Sequence, residues 1–234
     1  MIKDIPQLFE NQGGEFISAP SLILEKLKKI KAYIFDWDGV FNTGTKTDTL
    51  GSGYSEVDSM GLNLLRFGYW LSNNHQLPYV AIITGENNQT AIKLAQRESL
   101  HHIYFSFKNK ALAFEHFINS FGLKPDEVAF VFDDVLDFPI TRHCGLRFMI
   151  NRQGSPLFTK YVKQEQYADY ISGQFGGSFA LREITELILG LSGQYEISVK
   201  ERTDFGVLYT SYLEQRGKME LKKFKFDKNT IVAL

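Results

Sequence analysis

From residue 31 onward, short runs of β-branched and aromatic residues alternate with longer segments of helical periodicity. This alternation predicts a parallel sheet covered by helices, because parallel strands need a crossover connection that is usually an α-helix. The predicted fold class is therefore α/β, with a mainly parallel sheet. The predicted strands are residues 32–36, 79–84, 103–105, 128–133 and 146–150, and the predicted helices are residues 62–72, 88–97, 109–121, 136–143 and 179–191.

Three segments depart from this alternation. Residues 40–57 are rich in Gly, Thr and Ser, which favours a hairpin-like flap directly after the first strand. The chain before the α/β body, residues 1–30, is predicted to be an N-terminal extension with a short amphipathic helix over residues 22–30. The polar and basic C-terminal extension, residues 194–234, is interpreted as a solvated face or a lysine-protected edge strand. The α/β body itself spans residues 31–193.

Composition excludes several classes of function. The 26 Lys and Arg against 27 Asp and Glu give a net charge of −1, which offers no electrostatic footprint for nucleic acid or an anionic membrane. The single cysteine, Cys144, excludes an intramolecular disulfide and a cysteine-rich zinc site, and we expect an inert buried thiol. Apolar runs fall far short of the roughly 20 residues of a membrane span. No targeting segment is visible in residues 1–15, so we expect a cytoplasmic protein.

Polar side chains stand at the ends of three predicted strands. A strand interior disfavours Asp, so an Asp-x-Asp-Gly sequence directly after an apolar run indicates that this strand ends at a charged site. The carboxyl ends of parallel strands share one edge of the sheet, and ligands bind there. The residues expected to meet at this edge are Asp36 and Asp38 after the first strand, Thr84 and Gly85 after the second, and Asp133, Asp134 and Asp137 after the fourth.

Carboxylates that converge in one crevice repel one another unless a proton or a hard cation intervenes. Magnesium suits the position, because it takes oxygen ligands and is typically held by one or two carboxylates together with a substrate phosphate. Lys110 would add the positive charge that a transferring phosphoryl group needs, and Lys108 is a nearby alternative that the spacing disfavours. This combination of groups indicates phosphoryl transfer through an aspartyl-phosphate.

In their order along the chain, DWDGV, IITG, Lys110 and DDVLD resemble the motifs of the haloacid dehalogenase (HAD) superfamily. Within it, residues 31–193 resemble the capless phosphatases of 3-deoxy-octulosonate 8-phosphate and of nonulosonate (sialic-type) 9-phosphates. The stretches VAFVFDDVLDFP and GGSFALREITELIL extend the likeness. The resemblance implies a Rossmann-like three-layer α/β/α sandwich with a β-hairpin flap and no cap domain. It also implies a homotetramer, with the flap packing between subunits.

The resemblance further implies a Mg²⁺-dependent phosphatase of a small phosphorylated molecule, an acidic sugar phosphate, with roles carried over by position. Asp36 corresponds to the nucleophile, and Asp38 to the general acid that protonates the leaving oxygen and then activates water. Thr84 and the amide of Gly85 correspond to the groups that hold the phosphoryl oxygens, and Lys110 to the group that neutralises them.

The same resemblance implies the metal ligands. Mg²⁺ would be bound by Asp36, by the main-chain carbonyl of Asp38 and by Asp133. Asp134 or Asp137 would support this set.

Several positions depart from the pattern of the octulosonate group. Glu86 stands where the octulosonate group usually has Arg, and the nonulosonate group usually has Glu there. The nonulosonate group also carries a basic residue later on the same helix, where this chain has Arg97. Glu86 and Arg97 are therefore candidate substrate contacts. They would lie about 16 Å apart on one helix, so both could touch a small sugar only from different subunits, or they merely complement the helix dipole. Ser52 and Val57 replace a Lys and an Arg of the flap, and Phe132 replaces a Gly. These changes leave a second hypothesis open, a catalytically degenerate HAD-fold binding or assembly module.

Overall fold

The structure, a computed structural model, describes residues 4–47 and 51–234. Within these residues, nine strands form one sheet and ten α-helices flank it. The strands are β1 (Glu15–Phe16), β2 (Ala32–Phe35), β3 (Tyr79–Ile83), β4 (His102–Phe105), β5 (Val128–Phe132), β6 (Leu146–Asn151), β7 (Tyr170–Phe175), β8 (Lys222–Asp227) and β9 (Thr230–Ala233). The helices are α1 (Ile5–Glu10), α2 (Pro20–Leu27), α3 (Glu56–Ser72), α4 (Gln89–Arg97), α5 (Lys110–Phe121), α6 (Phe138–Thr141), α7 (Pro156–Gln164), α8 (Ala180–Leu191), α9 (Tyr195–Thr203) and α10 (Val207–Gly217).

The sheet has the strand order β1-β7-β6-β5-β2-β3-β4-β8-β9. Its pairings are parallel except for the outermost pair at each end, β1 with β7 and β8 with β9. Every residue of the central strand β2 is buried, which is why it appears in the sequence as an unbroken apolar run. Separate apolar clusters cover its two faces, one including Phe35 and the other Ile34. The predicted α/β sandwich with a mainly parallel sheet is confirmed.

Several predicted boundaries need correction. Helix α3 begins at Glu56 rather than at residue 62, because the Ser55 hydroxyl accepts a hydrogen bond from the Val57 amide at 3.0 Å and caps the helix there. The predicted helix over residues 136–143 is a 3₁₀ turn, Val135–Asp137, followed by the four-residue helix α6. Of the predicted flap, residues 48–50 lie outside the described residues, and a bridge joins Thr47 to Gly51.

The C-terminal extension is packed against the rest of the chain. Strand β8 runs parallel to β4, and β9 then forms the edge of the sheet, so the lysine-rich strand lies one position inside that edge. Helix α10 packs on α3 through a cluster of aromatic side chains, Phe67 and Trp70 from α3 with Tyr209 and Tyr212 from α10. In the described part of the chain, no helix has both the length and the apolar character needed to cross a bilayer.

Candidate active site

Lys110 and two carboxylates form the buried centre of the site. Asp36 follows β2, and Lys110 is the first residue of α5. The Lys110 Nζ lies 2.6 Å from Asp36 Oδ1 and 2.6 Å from Asp137 Oδ1. All three side chains are at most 7% exposed, so solvent screens these ion pairs weakly. The arrangement brings together the predicted nucleophile, the predicted cation and one of the predicted metal carboxylates.

Burial and charge act in opposite directions on these groups. Burial raises the pKa of Asp36 above its ordinary value, and Lys110 offsets part of that rise. Burial likewise raises the pKa of Asp137 to about 7, again against the opposing effect of Lys110. For Lys110, burial disfavours the ammonium, but Asp137 and Asp36 outweigh it and the pKa lies above its ordinary value. The lysine is therefore a permanent cation in the site.

Asp38 is oriented by side chains that the sequence did not single out for this role. Its Oδ1 accepts a hydrogen bond from the Ser52 hydroxyl at 2.5 Å, and its Oδ2 accepts one from the Asn88 amide at 3.1 Å. Lys46 lies 3.4 Å from the same Oδ2. Ser52, which takes the place of the flap lysine in the resembling group, therefore positions Asp38 from the flap.

Thr84 directly follows β3 and shares the Asn88 side-chain amide with Asp38. Its side chain is fully buried, and its Oγ1 accepts a hydrogen bond from the Asn88 amide at 2.9 Å. Asn88 is the N-cap residue of α4, so it joins the start of this helix to Asp38 and Thr84 together. Helix α4 begins at Gln89, so Glu86 precedes it, and the expectation that Glu86 and Arg97 lie on one helix is wrong.

Asp133 and Asp134 follow β5 and share one arginine. Arg152 contacts Asp133 Oδ2 and lies 3.1 Å from Asp134 Oδ2. Asp133 is buried, whereas the Asp134 side chain is about half exposed. Phe132, directly before them, is fully buried and stacks on Phe130 in one face of the core, so its ring points away from the carboxylates. Phe132, in place of the usual glycine, therefore does not crowd Asp133 and Asp134.

The loop after β2 is held close to the acidic residues. The Asn42 side-chain oxygen accepts hydrogen bonds from the amides of Gly39 at 3.3 Å and Gly44 at 2.8 Å. Gly39 has φ +84°, and a Cβ there would collide with the Asp133 carboxylate. A Cβ at Gly176 would collide with the main-chain oxygens of Gly39 and Asn42. The closing Gly-Gly sequence thus packs directly on the first motif.

A cavity of about 590 Å³ opens beside these groups, and Thr84, Ser52 and Asn88 are not among the residues that line it. Four predicted phosphate- and substrate-site residues, Asp36, Asp38, Gly85 and Glu86, line it, together with Lys110 and the acidic residues after β5. Lys46, Lys108 and Arg152 also line it; of these, only Lys108 was considered from the sequence for this site, as the disfavoured alternative to Lys110. The signal for Arg152 was its position just beyond the predicted strand of residues 146–150, at the same carboxyl edge.

Arg97 is not among the residues that line this cavity. Its guanidinium binds Glu56 through two nitrogens, at 2.6 and 3.1 Å, and lies 3.2 Å from Glu98. It also contacts the Ser59 hydroxyl and lies 5.3 Å above the ring centroid of Tyr54. Within one chain, Arg97 is thus part of a junction between α3 and α4.

The acidic residues form a donor set that suits a hard divalent cation. Asp36, Asp133 and Asp137 each offer an oxygen within 4.8 Å of the others, and all three residues are buried. Asp133 Oδ2 has no hydrogen bond among the described residues and only the ion pair with Arg152. Among the described residues, five carboxyl groups of the site form ion pairs with only three cationic side chains, so the acidic groups outnumber their cationic partners. Magnesium, with its oxygen preference and double charge, fits this set.

The sheet order, the Asp-x-Asp loop on the central strand, and the Thr, Lys and acidic groups on its neighbours define an α/β protein of the HAD fold. No protein-family model matches the chain. The 3-deoxy-D-manno-octulosonate 8-phosphate phosphatase KdsC of Salmonella typhi is 28% identical over 178 residues, covering 74% of this chain and 87% of that protein.

Solved structures agree with this likeness. A Legionella pneumophila protein described as a HAD superfamily (subfamily III A) hydrolase is 29% identical, with a TM-score of 0.65 over 79% of this chain and 95% of its own. The Moraxella catarrhalis 3-deoxy-D-manno-octulosonate 8-phosphate phosphatase, solved with magnesium, phosphate and KDO, shares the fold at 23% identity, with a TM-score of 0.61 over 76% of this chain and 96% of its own. The chain is therefore similar in sequence to the KdsC phosphatases and in fold to a HAD superfamily hydrolase.

Proposed function

We propose that this chain is a Mg²⁺-dependent phosphatase that hydrolyses a phosphomonoester through an aspartyl-phosphate on Asp36. The observation that carries the proposal is the convergence of Asp36, Asp38, Lys110 and Asp133 on one cavity at the carboxyl edge of the sheet. The names of its relatives, KdsC phosphatases of the octulosonate 8-phosphate, support the same reaction class.

In the first step, a carboxylate oxygen of Asp36 attacks phosphorus and the bond from phosphorus to the sugar oxygen breaks. Asp38, as the acid, gives its proton to that leaving oxygen. Thr84 and the Gly85 amide would hold the phosphoryl oxygens while Lys110 balances their charge. The hydrogen bonds to Asp38 from Ser52 and Asn88 would orient its carboxyl group for this transfer.

In the second step, Asp38 takes a proton from water, whose oxygen attacks phosphorus. The bond from phosphorus to the Asp36 oxygen breaks, which releases inorganic phosphate and restores the Asp36 carboxylate. Lys110 favours the ionised form of Asp36 for the next turnover, because the ammonium stays charged in the buried site and lowers the pKa of that carboxyl.

Mg²⁺ would be held by Asp36, the main-chain carbonyl of Asp38 and Asp133, and would neutralise charge on the transferring phosphoryl group. Asp137 is the better placed supporting carboxylate, because it belongs to the buried set of three. Asp134 is half exposed and paired with Arg152, so its support would be indirect.

The substrate class that we propose is an acidic sugar phosphate, either 3-deoxy-octulosonate 8-phosphate or a nonulosonate 9-phosphate. The names of the relatives favour the first, and Glu86 in the cavity favours the second. We further propose a cytoplasmic homotetramer, in which Arg97 would reach the sugar of a neighbouring subunit. The support for that assembly is the family resemblance of the flap.

The test is phosphate release from p-nitrophenyl phosphate and from both sugar phosphates, with Mg²⁺ and after chelation, for the wild type and Asp36→Asn. We expect Mg²⁺-dependent turnover that Asp36→Asn reduces by ~10⁴-fold or more. Asp204→Asn, an exposed aspartate at the end of α9, is the matched control and should be fully active. Activity that survives Asp36→Asn would exclude this nucleophile. A folded protein that hydrolyses none of the esters would favour the degenerate binding module.

A further inference from the structure

Arg152 pairs with two of the site's carboxylates although no role has been assigned to it. It follows β6, and its guanidinium contacts Asp133 with one terminal nitrogen and lies 3.1 Å from Asp134 with the other. Its side chain is 40% exposed, whereas Asp133 is 2% exposed. The partly exposed Arg152 side chain thus places its guanidinium on the buried Asp133 carboxylate.

The guanidinium lies where a metal ion on Asp133 would compete with it. A Cβ built on Gly39 would collide with both the Asp133 carboxylate and the Arg152 guanidinium, so all three groups meet at one point. Gly39 directly follows Asp38, whose main-chain carbonyl is a proposed metal ligand. A divalent ion between Asp133 and this carbonyl would meet the positive charge of Arg152 at very short range.

The Arg152 side chain has an alternative position away from Asp133. A second cavity, of about 580 Å³, adjoins the site, and Arg152 lines both cavities. Asn151, Gln153 and Gln164 line this second cavity and carry amide oxygens that can accept hydrogen bonds from a guanidinium, and Lys160 and Lys163 line it as well. The arginine can thus leave Asp133 by rotation of its side chain, with no movement of β6.

We propose that Arg152 is a tethered cation that pairs with Asp133 and Asp134 while no divalent ion is bound, and withdraws when one binds. It stabilises the clustered carboxylates at the cost of weaker metal binding, and so sets the Mg²⁺ concentration at which the site fills. This inference rests on the proposed function in taking Asp133 and the main-chain carbonyl of Asp38 as metal ligands.

The change in metal affinity on replacing Arg152 distinguishes competition with the metal from orientation of the metal ligands. If Arg152 competes with the metal, a neutral side chain in its place tightens metal binding. If Arg152 instead orients Asp133 and Asp134 as ligands, the same replacement weakens binding, as loss of a partner that orients metal ligands usually does.

The experiment compares Arg152→Gln with the wild-type chain. The dissociation constant for Mn²⁺ is measured by electron paramagnetic resonance and that for Mg²⁺ by calorimetry, on protein freed of metal. We expect Arg152→Gln to bind both ions ~10-fold more tightly, since removing a unit charge at short range changes the binding free energy by at least about 1.4 kcal/mol. Arg152→Lys should lie in between. Arg142→Gln, an arginine paired with the Tyr167 hydroxyl, is the matched control and should bind like the wild type.

A second readout is the melting temperature. In chelator, Arg152→Gln should melt lower than the wild type, because its carboxylates lose a counter-charge; Mg²⁺ should then raise its melting temperature by more than that of the wild type. Unchanged or weaker metal binding by Arg152→Gln would overturn the inference, while Mg²⁺-dependent turnover by the wild type would still support the proposed function. Failure of both proteins to bind either ion would overturn the inference and the metal site alike.

Discussion

Lys110 Nζ lies 2.6 Å from Asp36 Oδ1, although the two residues follow different strands, β4 and β2, which β3 separates in the sheet. Asp36 directly follows the central strand β2, and Lys110 is the first residue of α5, the helix that follows β4. The same ammonium binds Asp137, so one buried cation links the proposed nucleophile to the acidic cluster. Three predictions follow from the site and its surroundings, and a fourth concerns the C-terminal extension.

Replacing Lys110 with Met should lower turnover by ~10²–10³-fold, because it removes a preorganised charge facing the phosphoryl group. It should also lower the free energy of unfolding more at high pH than at low pH, since Asp36 and Asp137 then ionise without their counter-charge. Steady-state kinetics and urea unfolding measure the two effects.

Lys108→Met is the matched control for Lys110→Met. Lys108 is exposed at the cavity and forms no ion pair within the described residues. We expect less than a few-fold change in turnover of p-nitrophenyl phosphate. Equal losses in the two variants would contradict the assignment of Lys110 as the phosphoryl-neutralising residue.

Arg97→Ala should raise the Michaelis constant for a carboxylated sugar phosphate and leave hydrolysis of p-nitrophenyl phosphate unchanged. The reason is that the proposed contact is with the sugar of a neighbouring subunit, whereas the small aryl ester has no sugar. Glu56→Ala is the control, because it removes the bidentate partner of Arg97 and leaves the arginine in place. If Arg97→Ala impairs both substrates equally, the residue is structural.

Asp58 gives a pH dependence of stability. Its side chain is buried in the first turn of α3, with Oδ1 accepting from the Arg182 amide at 2.9 Å and Oδ2 without a partner among the described residues. Burial raises its pKa from 3.8 to about 6. The folded state therefore holds this proton more tightly than the unfolded state, and the stability it contributes is lost as pH rises towards and through about 6.

Asp58→Asn should remove the loss of stability that the wild type shows as pH rises. Relative to the wild type, the variant should gain about 2 kcal/mol of unfolding free energy between about pH 4.5 and about pH 8. Urea unfolding across this range measures it, with Asp126→Asn, an exposed aspartate, as the control. A difference between variant and wild type that does not change with pH would show that Asp58 is ionised throughout.

Tyr212→Ala tests whether the C-terminal extension folds with the α/β body. Tyr212 is fully buried, and its ring lies 5.2 Å from that of Phe67 on α3. Its truncation should cost ~3 kcal/mol of unfolding free energy in a single transition, while the Michaelis constant stays unchanged. Val207→Ala, on the same helix but 82% exposed, should cost under ~0.5 kcal/mol. Two separate unfolding transitions would show that the extension folds on its own.

The strands nearest the centre of the sheet were predictable, and the peripheral ones were not. Strands β2, β3 and β5 are buried along nearly their whole length and appear as continuous apolar runs. Strand β7 contains Ser172, Gly173 and Gln174, which interrupt such a run, and β1 has only two residues. Both were missed because their place in the sheet depends on pairing with β6 and β7, not on their own composition.

Some residues of the candidate site could likewise be predicted from the sequence, and others could not. Asp36, Thr84, Lys110 and Asp133 stand at strand or helix ends, so the topology of parallel sheets brings them together. Ser52, Asn88 and Arg152 hold the carboxylates through contacts between loops, and residue spacing carries no information about such contacts. Sequence reasoning noticed Ser52 only as the loss of a lysine.

Local periodicity and the position of charged residues after apolar runs specify the parallel sheet and the edge on which the acidic groups lie, because both are properties of short stretches of chain. Which cation neutralises which carboxylate is decided by the packed structure alone. Lys110 lies between Asp36 and Asp137, Arg152 on Asp133, and Arg97 on Glu56 away from the cavity. Electrostatic pairing depends on distances of a few ångströms between residues remote in the chain, and only folding sets those distances.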